Sequence, residues 1–119
     1  MNTPLYQLSA TELLTHYKAE TLSPVEVVES VLARMDACEP HIHAVWWRDR
    51  DAALQAARAS EKRWQSQSPQ GDLDGVPVTL KENIATQGLP SPLGSAATEL
   101  VPAKADAPAA ARLDSAVSI

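Results

Sequence analysis

Lys81 is the side chain in this sequence best placed to do chemistry. It closes the run Gly75-Val-Pro-Val-Thr-Leu-Lys81, where Val76, Val78 and Leu80 alternate with Pro77 and Thr79, and it opens the polar stretch Glu82-Asn-Ile84. The alternation predicts a short strand over Val76–Leu80, and Pro77, which has no N–H to give to a ladder, puts it at a strand start or a sheet edge. An ammonium emerging from a buried strand borders low-dielectric surroundings that disfavour its charged form, so it could accept a proton near neutral pH. A lysine after a strand is also an ordinary solvated end residue, so spacing alone leaves both readings open.

The other reactive side chains read more simply as structure. Ser91 and Ser95 follow the lysine, but neither stands in a strand-turn-helix elbow, and hydroxyls in such a loop serve turn geometry. His41 and His43 are two apart, a spacing that on a strand puts both on one face. A metal would want a third ligand, and no cysteine or carboxylate cluster supplies it, so neither a metal nor a cofactor is expected. Asn83 is expected to order the loop after Lys81 by hydrogen bonding to its backbone. Cys38 is the single cysteine, which forbids an internal disulfide and makes a reducing cytoplasm the simplest compartment; the thiol reads as packing.

Helices and turns must hold Lys81 in place. Ser9-Ala-Thr-Glu12 is a capping box with Leu8 and Leu13 positioned to staple the first turn, and Ser23-Pro-Val-Glu26 repeats the device with Leu22 and Val27. Pro24 falls at a first helical position, where its missing N–H costs nothing. Val25, Val28, Leu32 and Met35 form one apolar stripe, which predicts a helix from Pro24 to about Cys38, stopped by Glu39-Pro40. His43–Trp47 is expected to be a strand. A third helix is expected from near Asp51 to about Gln65, with Ala53, Ala56, Ala57, Ser60 and Trp64 on a narrow packing face. After a Ser/Pro/Gly linker, the strand at 76–80 and a Gly/Pro-punctuated loop, a last helix is expected with Asp106 as its cap and Pro108 in its first turn. This order is α/β, yet two short strands are a poor sheet and need neighbours to cover them.

The 119 residues fit one domain, and a net charge of −5 without a basic patch argues against nucleic acid as a partner. The start of the chain has no signal-peptide pattern, and no window approaches the roughly 18 apolar residues of a membrane span, so no membrane association is expected.

Several separated motifs then converge. Leu73-Asp-Gly75-Val-Pro77-Val-Thr-Leu-Lys81-Glu-Asn83-Ile84, followed by Gly88-Leu-Pro90 and Gly94-Ser95, resembles the N-terminal third of the amidase signature family. Leu22-Ser-Pro-Val-Glu-Val-Val28 is similar to that family's second helix, and Asp106-Ala-Pro108 with Arg112-Leu113 to a later one, so the likeness runs from about Leu8 to Leu113. The resemblance implies an N-terminal fragment of that α/β fold, a mixed β-sheet flanked by helices, with residues 1–119 as part of a single amidase domain and incomplete on their own. It also implies hydrolysis of a small-molecule carboxylic amide to acid plus ammonia or amine. In that chemistry a lysine works through a bridging serine on a nucleophilic serine, because serine is a feeble nucleophile unless a base takes its proton. The lysine maps onto Lys81.

Both serines belong in the family to a later glycine- and serine-rich segment, which is not present here. The chain instead ends Arg112-Leu-Asp-Ser-Ala-Val-Ser-Ile119, and the departure after Leu113 is expected to mark a truncation, a frameshift or an interrupted gene. Alone, the chain is expected to be inactive. Glu82 also stands where the family commonly has aspartate. A partner chain supplying the serines is one alternative, and a non-catalytic interaction module is another. A simple amidase and a subunit releasing ammonia for transamidation of aminoacyl-tRNA remain equally compatible with these residues.

Overall fold

The structure, a computed structural model, describes residues 3–115. After a 3-10 turn at Leu5–Gln7, the helices are α1 (Ala10–Lys18), α2 (Pro24–Ile42), α3 (Arg50–Gln65) and α4 (Pro108–Ser115). Both capping boxes form. The Ser9 N–H donates to Glu12 Oε2 at 2.8 Å, while the Glu12 N–H returns to Ser9 Oγ at 3.3 Å. The Ser23 N–H donates to Glu26 Oε2 at 2.9 Å, and the Ser23 hydroxyl accepts from Val25 N–H and donates to Glu61 Oε1 across on α3. The second cap is therefore also a tertiary contact between α2 and α3.

The staples feed a single core. Leu13, Tyr17 and Val27 are buried together, with Leu8 and Leu22, the residues ahead of each cap, packed against them beside Trp64. The apolar stripe of α2 does what its spacing implies: Val28 and Leu32 meet Ala57 of α3, flanked by Val25, Met35, Ala53 and Leu54. A fully buried alanine at the crossing lets the two helix backbones approach closely. Asp49 caps α3 by accepting from Ala52 N–H, so the helix opens at Arg50, just ahead of the expected start. Asp36 receives Arg48 and Arg50 across the α2–α3 connection, a half-exposed cluster whose contribution is small.

Four expectations are corrected. No mixed β-sheet forms among the described residues, whose only ladder contact is one isolated parallel bridge between Gln87 and Ala103. His43–Trp47 and Val76–Leu80 are irregular because a strand exists only when its N–H and C=O groups meet those of a neighbour, and these two segments pair neither with each other nor with anything else described. Helix α2 does not stop at Pro40 but runs through it to Ile42. The end is secured instead at His43, in the left-handed region, whose N–H reaches Glu39 C=O, while the Glu39 carboxylate accepts from Val45 N–H. His41 and His43 thus lie on a helix end and its cap, not on one strand face. Finally, Asp106 does not cap α4: its carboxylate accepts from Gln87 N–H at 2.7 Å and ties two parts of the loop together.

The radius of gyration, 15.3 Å, exceeds the about 13–14 Å of a compact chain of this length, as a helical core with a long irregular arm requires. No helix among the described residues is long and apolar enough to cross a membrane. The divergent end noted above lies partly outside the described residues, at 116–119, as do residues 1–2.

The two caps differ in reach, and their loss should differ too. Ser9→Ala should cost about 1 kcal/mol of stability, a cap alone. Ser23→Ala should cost about 2 kcal/mol, because it also leaves Glu61 without its donor. Urea unfolding followed by far-ultraviolet circular dichroism measures both; equal losses would show that the Ser23–Glu61 contact contributes nothing.

Candidate functional site

The lysine-bearing segment is anchored by its first two residues. Asp74 is fully buried, and its carboxylate accepts from Ser60 Oγ at 2.7 Å, from Arg63 Nε and Nη2 at 2.8 and 2.7 Å, and from Gln70 N–H at 3.0 Å. Its own carbonyl accepts from Trp64 Nε1, and the next carbonyl, of Gly75, accepts from the Tyr17 hydroxyl at 3.0 Å. Helices α1 and α3 therefore grip consecutive peptide groups. Ser60, Arg63 and Trp64 lie on one face of α3 because residues three and four apart share a helix face. No buried side-chain nitrogen or oxygen among the described residues is left without a partner.

Electrostatics agree with this geometry. Burial pushes the Asp74 carboxyl upward, but the hydrogen bonds from Arg63, Ser60 and the Gln70 N–H outweigh it and hold the carboxyl below its ordinary value. The same contact raises the Arg63 guanidinium. Burial also pushes the Tyr17 phenol well above its ordinary range, so it stays a donor to Gly75.

Gly75 is a position only glycine can hold. Its φ is +85°, and an added Cβ would sit 2.6 Å from Ser60 Oγ and 2.9 Å from Pro24 Cγ. The positive φ turns the chain off the helical core, Val76 N–H closes the turn on Leu73 C=O, and Val76 is the last buried residue of the segment. From there Val78, Leu80 and Lys81 are exposed. Lys81 makes no side-chain hydrogen bond or ion pair among the described residues, and its carbonyl accepts from Ile84 N–H.

Downstream the chain is braced again. Ala107 N–H reaches Ala85 C=O, Gln87 N–H reaches Asp106, Gly88 N–H reaches Ala103 C=O and Ala103 N–H reaches Leu89 C=O. Lys81 therefore lies on a free span between the Asp74 clamp and this brace. Glu82, the next residue, lines an open groove of about 440 Å³ with Trp46, Pro92, Ser95, Thr98 and Leu100.

The remaining candidates fall where turn chemistry puts them. Ser95 Oγ accepts from Ala97 N–H and its own N–H donates to Pro92 C=O, while Ser91 is half-buried in the same loop. Asn83 is exposed and orders nothing through its side chain; the Ile84 N–H closes that turn instead. Cys38 is half-buried, and His41 and His43 are exposed. Among the described residues no three His, Cys, Asp or Glu side chains gather. Sequence reasoning missed the Asp74 clamp, for which the signal was available: an Asp-Gly pair, a turn dipeptide, and a serine on the face assigned to packing with an arginine three residues after it.

The chain as a whole has counterparts among known proteins. Residues 26–119 match the amidase family model. The chain is 41% identical over 93 residues to a glutamyl-tRNA(Gln) amidotransferase subunit from Chloroflexus aurantiacus, covering 78% of this chain and 19% of that protein. It is 36% identical over 116 residues to indoleacetamide hydrolase of Bradyrhizobium diazoefficiens, covering 98% and 22%. The crystal structure of a bacterial aryl acylamidase of the amidase signature family superposes with a TM-score of 0.85 at 30% identity, over 98% of this chain and 25% of that one. The chain belongs to the amidase signature family. It spans about a fifth of the length of the curated relatives named here.

The clamp makes a prediction about acid. Because the folded Asp74 carboxyl is held below its unfolded value of about 3.9, its contribution is complete above that value and is lost as pH falls through the depressed folded value. Stability should therefore hold from pH 7 to 5 and fall below about pH 4. Asp74→Asn should lower stability at pH 7 by about 2 kcal/mol or more, since it leaves Arg63 facing a neutral amide, and should flatten the acid limb. Urea midpoints across pH measure this; an Asp74→Asn chain with an unchanged midpoint and acid limb would remove the clamp's role.

Proposed function

We propose that this chain is the lysine-bearing N-terminal part of an amide hydrolase of the Ser-Ser-Lys type, acting on a small carboxylic amide, with Lys81 as its catalytic lysine. The observation that carries the reading is the placement of Lys81: in the family's motif, on a span held at both ends, with an ammonium that no neighbour occupies. A lysine tied into an ion pair would be held away from that role; this one has no side-chain partner among the described residues.

The chemistry needs two further hydroxyls, and the serines whose hydrogen bonds are described are engaged in structure. Ser9 and Ser23 cap helices, Ser60 is buried on Asp74, Ser66 and Ser68 bond to each other, and Ser95 closes a turn. The bridging and nucleophilic serines come from a glycine- and serine-rich segment beyond the matched part, in the same polypeptide or in a partner chain. On the assembled enzyme, Lys81 takes a proton from the bridging serine as that residue takes one from the nucleophile. The nucleophile attacks the amide carbon, backbone N–H groups hold the oxyanion, and ammonia or an amine leaves with the returned proton. Water then frees the acid. Of these roles this chain supplies the base. The names of its relatives, an indoleacetamide hydrolase and an acylamidase of Rhodococcus erythropolis among them, support small amides as the substrate class. A single half-buried thiol suits a reducing cytoplasm.

The 119-residue chain should not turn over aliphatic or aromatic amides. Joining it to the glycine- and serine-rich segment encoded downstream, in whichever frame carries it, should create a hydrolase that loses at least about 1,000-fold in kcat/KM on Lys81→Ala. Ammonia release measures it. Turnover by the chain alone, or a restored enzyme indifferent to Lys81, would overturn the reading.

A further inference from the structure

Asp74 and Gly75 form the one Asp-Gly pair in the sequence, and such a pair can react with itself. With no Cβ on the following residue to crowd the approach, the glycine nitrogen can reach the aspartyl Cγ and close a five-membered ring. The N–Cγ bond forms, the Cγ–OH bond breaks, and the N–H proton leaves with that hydroxyl as water. Hydrolysis of the succinimide returns the water at either ring carbonyl. One opening restores aspartate; the other leaves isoaspartate, in which the backbone runs through Cβ and Cγ and the free carboxylate sits on Cα.

The folded chain withholds what this reaction needs. Loss of water requires a protonated carboxyl, and the bonds from Arg63, Ser60 and Gln70 N–H favour the ionised form of Asp74. Attack requires the carboxyl to swing onto the next nitrogen, yet Oδ1 accepts from Ser60 Oγ and Arg63 Nη2, and Oδ2 from Arg63 Nε and Gln70 N–H, so a rotation breaks several bonds at once. The backbone cannot turn to help, because Trp64 Nε1 holds the Asp74 carbonyl and the Tyr17 hydroxyl holds that of Gly75. The nitrogen itself is unguarded: the Gly75 N–H makes no hydrogen bond among the described residues. Nor can either member of the pair be exchanged, since a Cβ at Gly75 collides with Ser60 and Pro24, and Arg63 needs the carboxylate. The clamp therefore protects a reactive pair that the fold cannot do without.

We propose that Asp74-Gly75 is a spontaneous backbone-modification site, sealed by the clamp and opened by its loosening, at which isoaspartate formation permanently releases the lysine-bearing segment. Release follows from the product's connectivity. The carbonyl that Trp64 holds becomes the free carboxylate, the carboxylate that Arg63 and Ser60 hold becomes a backbone amide, and the main chain gains one methylene, so neither half of the grip can re-form. The site is independent of whether Lys81 acts as a base.

The test incubates the 119-residue chain at mildly acid pH, below its unfolding transition, and follows isoaspartate by tryptic mapping and by methyl transfer from S-adenosylmethionine with an isoaspartyl methyltransferase. The folded chain should isomerise at least about 100-fold more slowly than a peptide spanning residues 70–78, and the same chain in urea should match the peptide. Arg63→Gln and, with less disturbance of the fold, Ser60→Ala should each speed the folded chain at least about tenfold, whereas Ser9→Ala, which weakens a cap away from Asp74, should change the rate less than about twofold. In the isolated isoaspartyl chain the Val76 amide, bonded to Leu73 C=O in the intact turn, should exchange at least about tenfold faster. A folded chain as reactive as the peptide, Ser60→Ala without acceleration, Ser9→Ala accelerating as much as Ser60→Ala, or an isoaspartyl chain with Val76 still protected would each overturn the proposal.

Discussion

The buried Asp74 carboxylate is the contact on which the rest of this structure depends. A carboxylate taken fully out of water is destabilising unless its charge and lone pairs are met, and here a bidentate arginine, a serine hydroxyl and a backbone N–H meet them together. Because those donors sit on α3 and on the linker behind it, satisfying the charge also fixes the path of the chain. It can leave α3 and return to it only with Asp74 at this point. Gly75 then has no room for a side chain, and Tyr17 of α1 fastens its carbonyl, so helices far apart in sequence agree on the same two residues.

Everything functional follows from where that turn releases the chain. Past Val76 the segment carries its apolar side chains and its ladder groups into solvent, and Lys81 with them, until the brace at 84–89 takes hold. A lysine needed as a base must be both positioned and dehydrated. The first property is present in this chain, through the two anchors; the second is not, because Lys81 is exposed. The chain belongs to the amidase signature family and spans about a fifth of the length of its curated relatives, so it presents the lysine without the whole of a relative around it.

How much of this could be read from the residues depended on the range of the interactions involved. The capping boxes, the staples and the stripe Val25, Val28, Leu32, Met35 were legible because their neighbouring members lie within five residues of one another along the chain, and all of them form. The α2 terminus was misread because proline's effect was weighed alone, while the Glu39 carboxylate and a left-handed His43 sustain two further residues of helix. The two strands were legible as pattern and wrong as structure, since alternation specifies only what a segment would pair with if a partner arrived. The clamp joins Asp74 to side chains 11 and 14 residues earlier, a closure that no local pattern announces. Lys81 was singled out from the alternating run that precedes it and from its motif, while the strand that was to bury its surroundings does not form among the described residues.

The most direct test of the central claim, that the amine at position 81 is the base, is to remove it and put a different amine in its place. With Cys38→Ser as background, a Lys81→Cys chain can be aminoethylated while that position is still exposed, then assembled with the serine-bearing remainder of the fold and assayed for ammonia release. The account predicts an inactive cysteine enzyme whose turnover returns on aminoethylation, with its pH profile displaced toward acid because a thioether lowers the basicity of the amine. Full activity of the unmodified cysteine enzyme, or no recovery in a complex that has assembled normally, would contradict it.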